Sequence, residues 1–295
     1  MLRTLSTRET LKSQRIGLGC WLFGKSKLGN SDAIVRNVVA AAIARNIRLF
    51  DTAESYGWGI SERRLASALE STQVRPDNVL ICTKWYPFWR KAASITSTFK
   101  ERISALAPYP IGIHHVHAPA SFSSVETEME HMLRLYDAGL IGGIGVSNFT
   151  AKQMLRAHYY LRARGVALVC NQVGFSIFDR AIEKNGILET AKAEEIAIVA
   201  HSPLGGTLRH LQSPRSSRQI ALAGALQGIA LKHNSSMSSI ALAWVTQFHE
   251  ATVVAIPGAR NERQVQENTM NISLSLEELS QIDLLTREHK GARTS

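Results

Sequence analysis

Four side chains of different chemistry stand where they could together move a proton: Asp51, Tyr56, Lys84 and His117. Asp51 and Tyr56 lie in RLFDTAESYG, residues 48–57, whose Leu49 and Phe50 read as the end of a buried strand. Lys84 comes at the end of a second apolar run, VLICTKW, and His117 near the end of a third, IGIHHVHAP. An isolated phenol is a poor acid, with a pKa near ~10. A carboxylate that holds a Lys ammonium beside the phenol favours the phenolate, so Tyr56 is expected to be brought down toward working pH. A buried ammonium without a partner is costly, and Asp51 is the obvious partner for Lys84. The blander readings are a rim aromatic for Tyr56 and a purely structural ion pair for Asp51 and Lys84.

These residues need a frame that brings several strand ends to one face. Strand and helix signals alternate along the chain. Strand-like runs fall at 16–21, 48–53, 79–85, 111–118, 142–148, 167–175, 197–204 and 253–259. Helical spacing fills 31–45, 61–69, 94–106, 123–138, 150–163, 187–195 and 236–249, with Ser and Asp opening the first of these. Eight strands alternating with helices predict an α/β fold, a closed parallel (β/α)8 TIM barrel, as one domain over residues 1–295. In such barrels the chemistry sits on the loops after the strands, where all four residues fall. Residues 205–234 form the longest of those connections, and long loops on that face usually cover a ligand.

Composition narrows the class. A chain of 295 residues with 45% hydrophobic and 20% charged residues is ordinary for a globular protein. No apolar run approaches the ~20 residues that span a bilayer, so no membrane partner is expected. The net charge of +10, from 34 basic and 24 acidic residues, is spread without a dense block. It reads as a solvated surface, with no nucleic-acid partner expected. Cys20, Cys82 and Cys170 cannot pair off evenly. Buried free thiols in a reducing, cytoplasmic setting are the expectation.

DTAESYG, then CTKW, then HHVHAP, then GLIGGIGVSNF, resembles the aldo-keto reductase family in order and spacing. NQVGFS, HSPLGG and IPGARNERQVQEN extend the resemblance over essentially the whole chain. It implies a short N-terminal β-hairpin closing the bottom of the barrel. It also implies NADPH-dependent reduction of a small-molecule aldehyde or ketone, with Tyr56 as general acid, Asp51 and Lys84 tuning it, and His117 orienting the carbonyl. Ser147, Asn148 and Gln172 match the positions that bind the nicotinamide carboxamide. Ser202, Leu204 and Gly206 match the segment along the pyrophosphate, and Gly258, Arg260, Gln264, Glu267 and Asn268 that at the adenosine end. Arg260, just before a helix, could grip a 2′-phosphate, which favours NADPH over NADH; the alternative is an exposed, solvated Arg. The glycines of GLIGGIGVSNF lack the spacing of a dinucleotide-binding strand–turn–helix, so the cofactor belongs on the barrel mouth.

The chain departs from the pattern at His201, where many relatives carry a stacking aromatic, usually Tyr. A protonated His201 would repel an oxidised nicotinamide. Trp21, Trp58 and Trp85, all near strand ends, are expected to wall an open substrate pocket, with Phe88 and Trp89 in the next loop; such walls favour aromatic or apolar carbonyls. Three rival readings stand beside the reductase. One is a nicotinamide-binding regulatory, redox-sensing subunit with little turnover; another is an NAD-dependent sugar or alcohol dehydrogenase. The third is a metal hydrolase using His115 and His117, which share a strand face; no metal is expected, because Lys84 would set a positive charge beside it. Oligomeric state is not legible.

Overall fold

The computed structural model describes residues 7–25, 31–205, 211, 214 and 216–287. Eight strands form one parallel sheet in sequence order: β1 (Leu18–Gly19), β2 (Leu49–Asp51), β3 (Leu80–Trp85), β4 (Ile111–Val116), β5 (Ile141–Ser147), β6 (Leu168–Gly174), β7 (Ala197–His201) and β8 (Val253–Ala255). The ring closes where Ile16 bridges in parallel to Ala255, with the Gly17 amide donating to the Ala255 carbonyl at 2.8 Å. This is the (β/α)8 barrel that the alternation predicts. Both faces of each strand are covered, so the strands are runs of buried residues such as LICTKW.

Strand alternation sorts side chains between two apolar layers. Leu49, Leu80, Cys82, Ile113, Cys170, Val199 and Val254 fill the barrel, while Phe50, Ile81, Trp85, Val116 and Ile198 pack outward against the helices. Counting inward positions toward the carboxyl end of each strand leads to Asp51, Lys84, His117, Gln172 and His201. The interior also holds His115, whose Nδ1 lies 3.3 Å from the Thr83 carbonyl and whose Nε2 lies 3.2 Å from Cys170 Sγ. Gly145 makes room for this ring, since a Cβ there would sit 2.5 Å from His115 Cδ2. Burial pushes the His115 ring well below its ordinary value and the Cys170 thiol up. Both are neutral, so the thiol donates to the imidazole.

Local sequence sets the helix starts. Ser31, Ser124, Ser216, Ser236 and Ser275 each accept a hydrogen bond from the third residue on, and Thr150 with Gln153 forms a reciprocal capping box. The expected helix over 94–106 is divided at Thr98 into Ala93–Ser97 and Phe99–Leu106. The expected first strand is short, and Trp21–Gly24 turns as a 3-10 helix instead. Within the long connection, Ser217–Lys232 is helical.

Residues 7–13 do not form the β-hairpin implied by the resemblance; Thr7–Ser13 is a helix, and residues 1–6 lie outside the described residues. TRETLKS has one apolar side chain and no Gly or Asn to reverse a hairpin. Its single Leu11 is fully buried and plugs the bottom of the barrel interior, which a short helix accomplishes as well as a hairpin.

The loops carrying the site are braced by a charge network. Glu54 binds Arg90, and Arg102 Nη1 at 2.7 Å, while Arg102 Nε pairs with Glu62 at 2.9 Å. Thr83 Oγ1 donates to Glu62 at 2.6 Å, and the Tyr86 amide donates to Glu54 at 2.8 Å. Glu62, which sequence places in an ordinary acidic first turn, is fully buried, and that burial raises its pKa to about 6. Removing the shared cation leaves two buried carboxylates short of a partner. Arg102→Met is therefore expected to lose about 3 kcal/mol of stability in urea unfolding; a loss below ~1 kcal/mol would show that the network is not needed.

Candidate active site

The inward-facing residues at the carboxyl ends of the strands converge on one cleft of about 640 Å³. Lys84 lies beneath its floor, fully buried. Its ammonium donates to Asp51 Oδ2 at 2.6 Å, to the Thr52 carbonyl at 2.8 Å and to the Tyr56 hydroxyl at 3.2 Å. Three donors meet three acceptors. The second Asp51 oxygen accepts from Gln172 Nε2 at 2.7 Å, so neither carboxylate oxygen lacks a donor. Burial alone would pull Lys84 down, but Asp51 and then Tyr56 outweigh it and hold the ammonium above the usual lysine range.

Tyr56 moves in the direction opposite to the one its sequence suggests. Burial of the phenol raises its pKa, and Lys84 offsets this only in part because Asp51 also raises it. The pull of the ammonium on the phenol is opposed by Asp51, and burial prevails. Tyr56 therefore holds its proton through neutral pH. His117 stands edge-on to Tyr56, with ring centroids 5.7 Å apart, and its Nδ1 shares a 3.3 Å hydrogen bond with Ser55 Oγ. Burial, Lys84 and His201 push it down to about 3, so it is a neutral ring.

The other half of the cleft is an amide-rich wall. Ser147 Oγ donates to the Gln172 carbonyl at 3.0 Å, and Asn148 Nδ2 donates to the His117 carbonyl at 3.2 Å and to Ser147 Oγ at 3.1 Å. Asn148 Oδ1 accepts from His201 Nε2 at 3.1 Å. Asn148 and Ser202 both adopt left-handed backbone, at φ 59° and 50°, a conformation that is uncommon outside Gly and that aims their side chains across the strand ends. Burial, with Lys84 close by, lowers the pKa of His201. The positive charge that its identity suggested is absent at neutral pH, and its ring is spent on orienting Asn148.

Farther along, Ser202, Leu204, Gly258, Arg260, Gln264, Glu267 and Asn268 line the same cleft. Arg260 is exposed; its amide donates to Gln264 Oε1 at 2.8 Å, while Asn268 Nδ2 donates to the Gly258 carbonyl at 3.3 Å. The two amide side chains shape the loop that carries Arg260. Gly206 lies outside the described residues. Sequence reasoning missed Gly19, Leu22, Ser238 and Ile256, which also line the cleft. Gly19 had a signal in its strand-end position, and a Cβ there would lie 2.7 Å from the Ile256 carbonyl oxygen.

The three expected tryptophan walls divide. Trp21 lines the cleft, with Lys25 Nζ 3.7 Å over its ring. Trp85 does not: one residue past inward-facing Lys84, it points to the helix layer, is 1% exposed, and donates from Nε1 to Ser94 Oγ at 3.0 Å. Trp58 stands outside the cleft on the rim, edge-on to Tyr86 at 5.6 Å. His114 also faces outward, against Phe99, so the three histidines do not converge. Among the described residues, no group of three or more His, Cys, Asp or Glu is placed to hold a metal.

Amide and hydroxyl groups line one end of the cleft, next to a neutral acid, and among the described residues one guanidinium, that of Arg260, stands near the other. The sequence model of the aldo/keto reductase family matches residues 15–287. An uncharacterised oxidoreductase of Mycobacterium bovis is 33% identical, with 95% of this chain and 90% of the relative covered. The chloroplastic pyridoxal reductase of Arabidopsis thaliana is 29% identical, covering 92% and 83%. The crystal structure of an aldo-keto reductase from Klebsiella pneumoniae in complex with NADPH superposes with a TM-score of 0.75 at 25% identity, covering 92% of this chain and 90% of that one.

Proposed function

The chain belongs to the aldo/keto reductase family, and on that premise we propose that it reduces aldehydes or ketones with NADPH, Tyr56 being the general acid. It is an NAD(P)H-dependent oxidoreductase of that type. The observation that carries the finer reading is the Asp51–Lys84–Tyr56 chain of 2.6 and 3.2 Å contacts at the floor of the cleft.

Reduction adds a hydride to the carbonyl carbon and a proton to its oxygen. Bound in the cleft, reduced nicotinamide dinucleotide supplies the hydride. Tyr56 holds the proton at its hydroxyl, and its raised pKa keeps that proton in place across neutral pH. Once it is donated, the phenolate left behind sits 3.2 Å from the Lys84 ammonium, which stabilises it. Asp51 and Gln172 fix the ammonium in position. If Ser55 donates to His117 Nδ1, the neutral ring keeps an Nε2–H to orient the substrate oxygen. The same protonation state disfavours alcohol oxidation near neutrality, since that direction needs a phenolate base.

Arg260 supports NADPH over NADH. An exposed guanidinium with five donors suits a 2′-phosphate, which NADH lacks.

Tyr56→Phe keeps the ring and removes the proton. It is expected to cut kcat with 4-nitrobenzaldehyde by at least ~100-fold while NADPH affinity, read by intrinsic fluorescence, changes little; a variant with most of its activity would mean the acid lies elsewhere. Arg260→Ala is expected to weaken NADPH binding by ~10-fold or more, in line with loss of a charge-assisted pair, and NADH binding far less. Equal weakening of both would remove the case for a 2′-phosphate site.

A further inference from the structure

The backbone of His117 is fixed on both sides, whereas its ring has a single hydrogen bond. Its amide donates to the Trp85 carbonyl at 3.0 Å, and its carbonyl accepts from Asn148 Nδ2 at 3.2 Å. Among the described residues, the one hydrogen bond to the ring joins Nδ1 and Ser55 Oγ at 3.3 Å. That leaves Nε2 as the ring nitrogen free for the cleft that His117 lines. Neutrality alone does not say which nitrogen carries the proton, and the two tautomers do opposite things. With the proton on Nδ1, Nε2 is a bare acceptor that repels a carbonyl oxygen and competes for the Tyr56 proton. With the proton on Nε2, the ring is a donor.

Ser55 can decide between them. Its side chain is half-buried, and His117 Nδ1 is its only hydrogen-bonding partner among the described residues, so its proton is not committed elsewhere. A proton on Nδ1 would leave the Ser55 O–H without a protein acceptor; donation from Ser55 pairs both groups. A carboxylate in this place would also orient the ring, but it would favour the charged form. A hydroxyl orients the ring without adding charge, and burial with Lys84 then keeps His117 neutral. The turn that carries Ser55 is itself pinned. The Glu54 amide donates to the Lys84 carbonyl at 3.2 Å and the Tyr56 amide to the Ala53 carbonyl at 3.1 Å, while the Glu54 carboxylate is held by Arg90 and Arg102. One turn thus fixes the acid and, one residue before it, the hydroxyl that reaches His117.

We propose that Ser55 is a positioning residue: by donating to Nδ1 it holds His117 in the tautomer protonated on Nε2, so that the ring offers a donor to the carbonyl oxygen that Tyr56 protonates. The proposal rests on the reductase reading and deepens it by naming the residue that sets the state of His117. Histidine-selective 15N NMR, with His117 assigned by difference against His117→Gln, shows a protonated Nε2 and a bare Nδ1 in the wild type, and a mixture of tautomers in Ser55→Ala. The same variant lowers kcat for 4-nitrobenzaldehyde about tenfold, as expected for one lost hydrogen bond, while NADPH affinity changes little. Ser55→Thr, which keeps the hydroxyl, restores most of the rate and the Nε2-protonated spectrum. A wild-type ring protonated on Nδ1 overturns the assignment, as does a His117 spectrum that is unaltered in Ser55→Ala. The spectrum also separates this proposal from the reading beneath it. Should the enzyme reduce no aldehyde, an Nε2-protonated ring that Ser55→Ala releases would uphold the Ser55–His117 assignment while the reductase reading failed.

Discussion

The buried ion pair between Asp51 and Lys84 is the constraint to which the rest of the site answers. An ammonium taken fully out of water must be matched by acceptors, and here all three come from the end of β2 and the loop that follows it. Asp51 is in turn held by Gln172 from across the barrel. The ring closure that brings β6 opposite β2 is therefore needed for the charge to be buried at all. The barrel holds the pair, and the pair sets the chemistry of the mouth.

The field of that pair reaches its neighbours unequally. Lys84 adds to burial in lowering His115, His117 and His201, so the rings around the mouth are neutral. At Tyr56 the carboxylate and the ammonium oppose each other and burial prevails. The result is a centre with one strongly held proton and neutral hydrogen-bonding groups around it, poised to give a proton. Cys20, Cys82 and Cys170 are buried free thiols, raised by the same burial.

Much of this was legible in the sequence because it depends on periodicity. Apolar runs ending in Asp51, Lys84 and His117 announced strand ends, and alternation is enough to put all three inside the barrel. The same rule, applied one residue on, places Trp85 outside, yet aromatic identity suggested a pocket wall. The direction of the Tyr56 shift was not legible, since it is a difference between burial and two opposed charges whose distances no spacing reveals. The Glu54–Arg102–Glu62 brace joins residues up to 48 positions apart and has no local signature. At the amino terminus, a family habit predicted a hairpin where seven residues with one Leu form a helix. His201 looked like a liability by residue type, and only its contact with Asn148 shows what the ring is used for.

The measurement that bears most directly on the central claim is the ionisation of the Tyr56 phenol. Ultraviolet difference spectra of the wild type against Tyr56→Phe, taken across the pH range, isolate its phenolate. A phenol raised by burial ionises only above the usual tyrosine value of ~10, so no Tyr56 phenolate appears through neutral and mildly alkaline pH. A phenolate band rising near neutrality would contradict the account. It would mean that the Lys84 charge, rather than burial, governs the acid, and that the site is poised to take a proton instead of giving one.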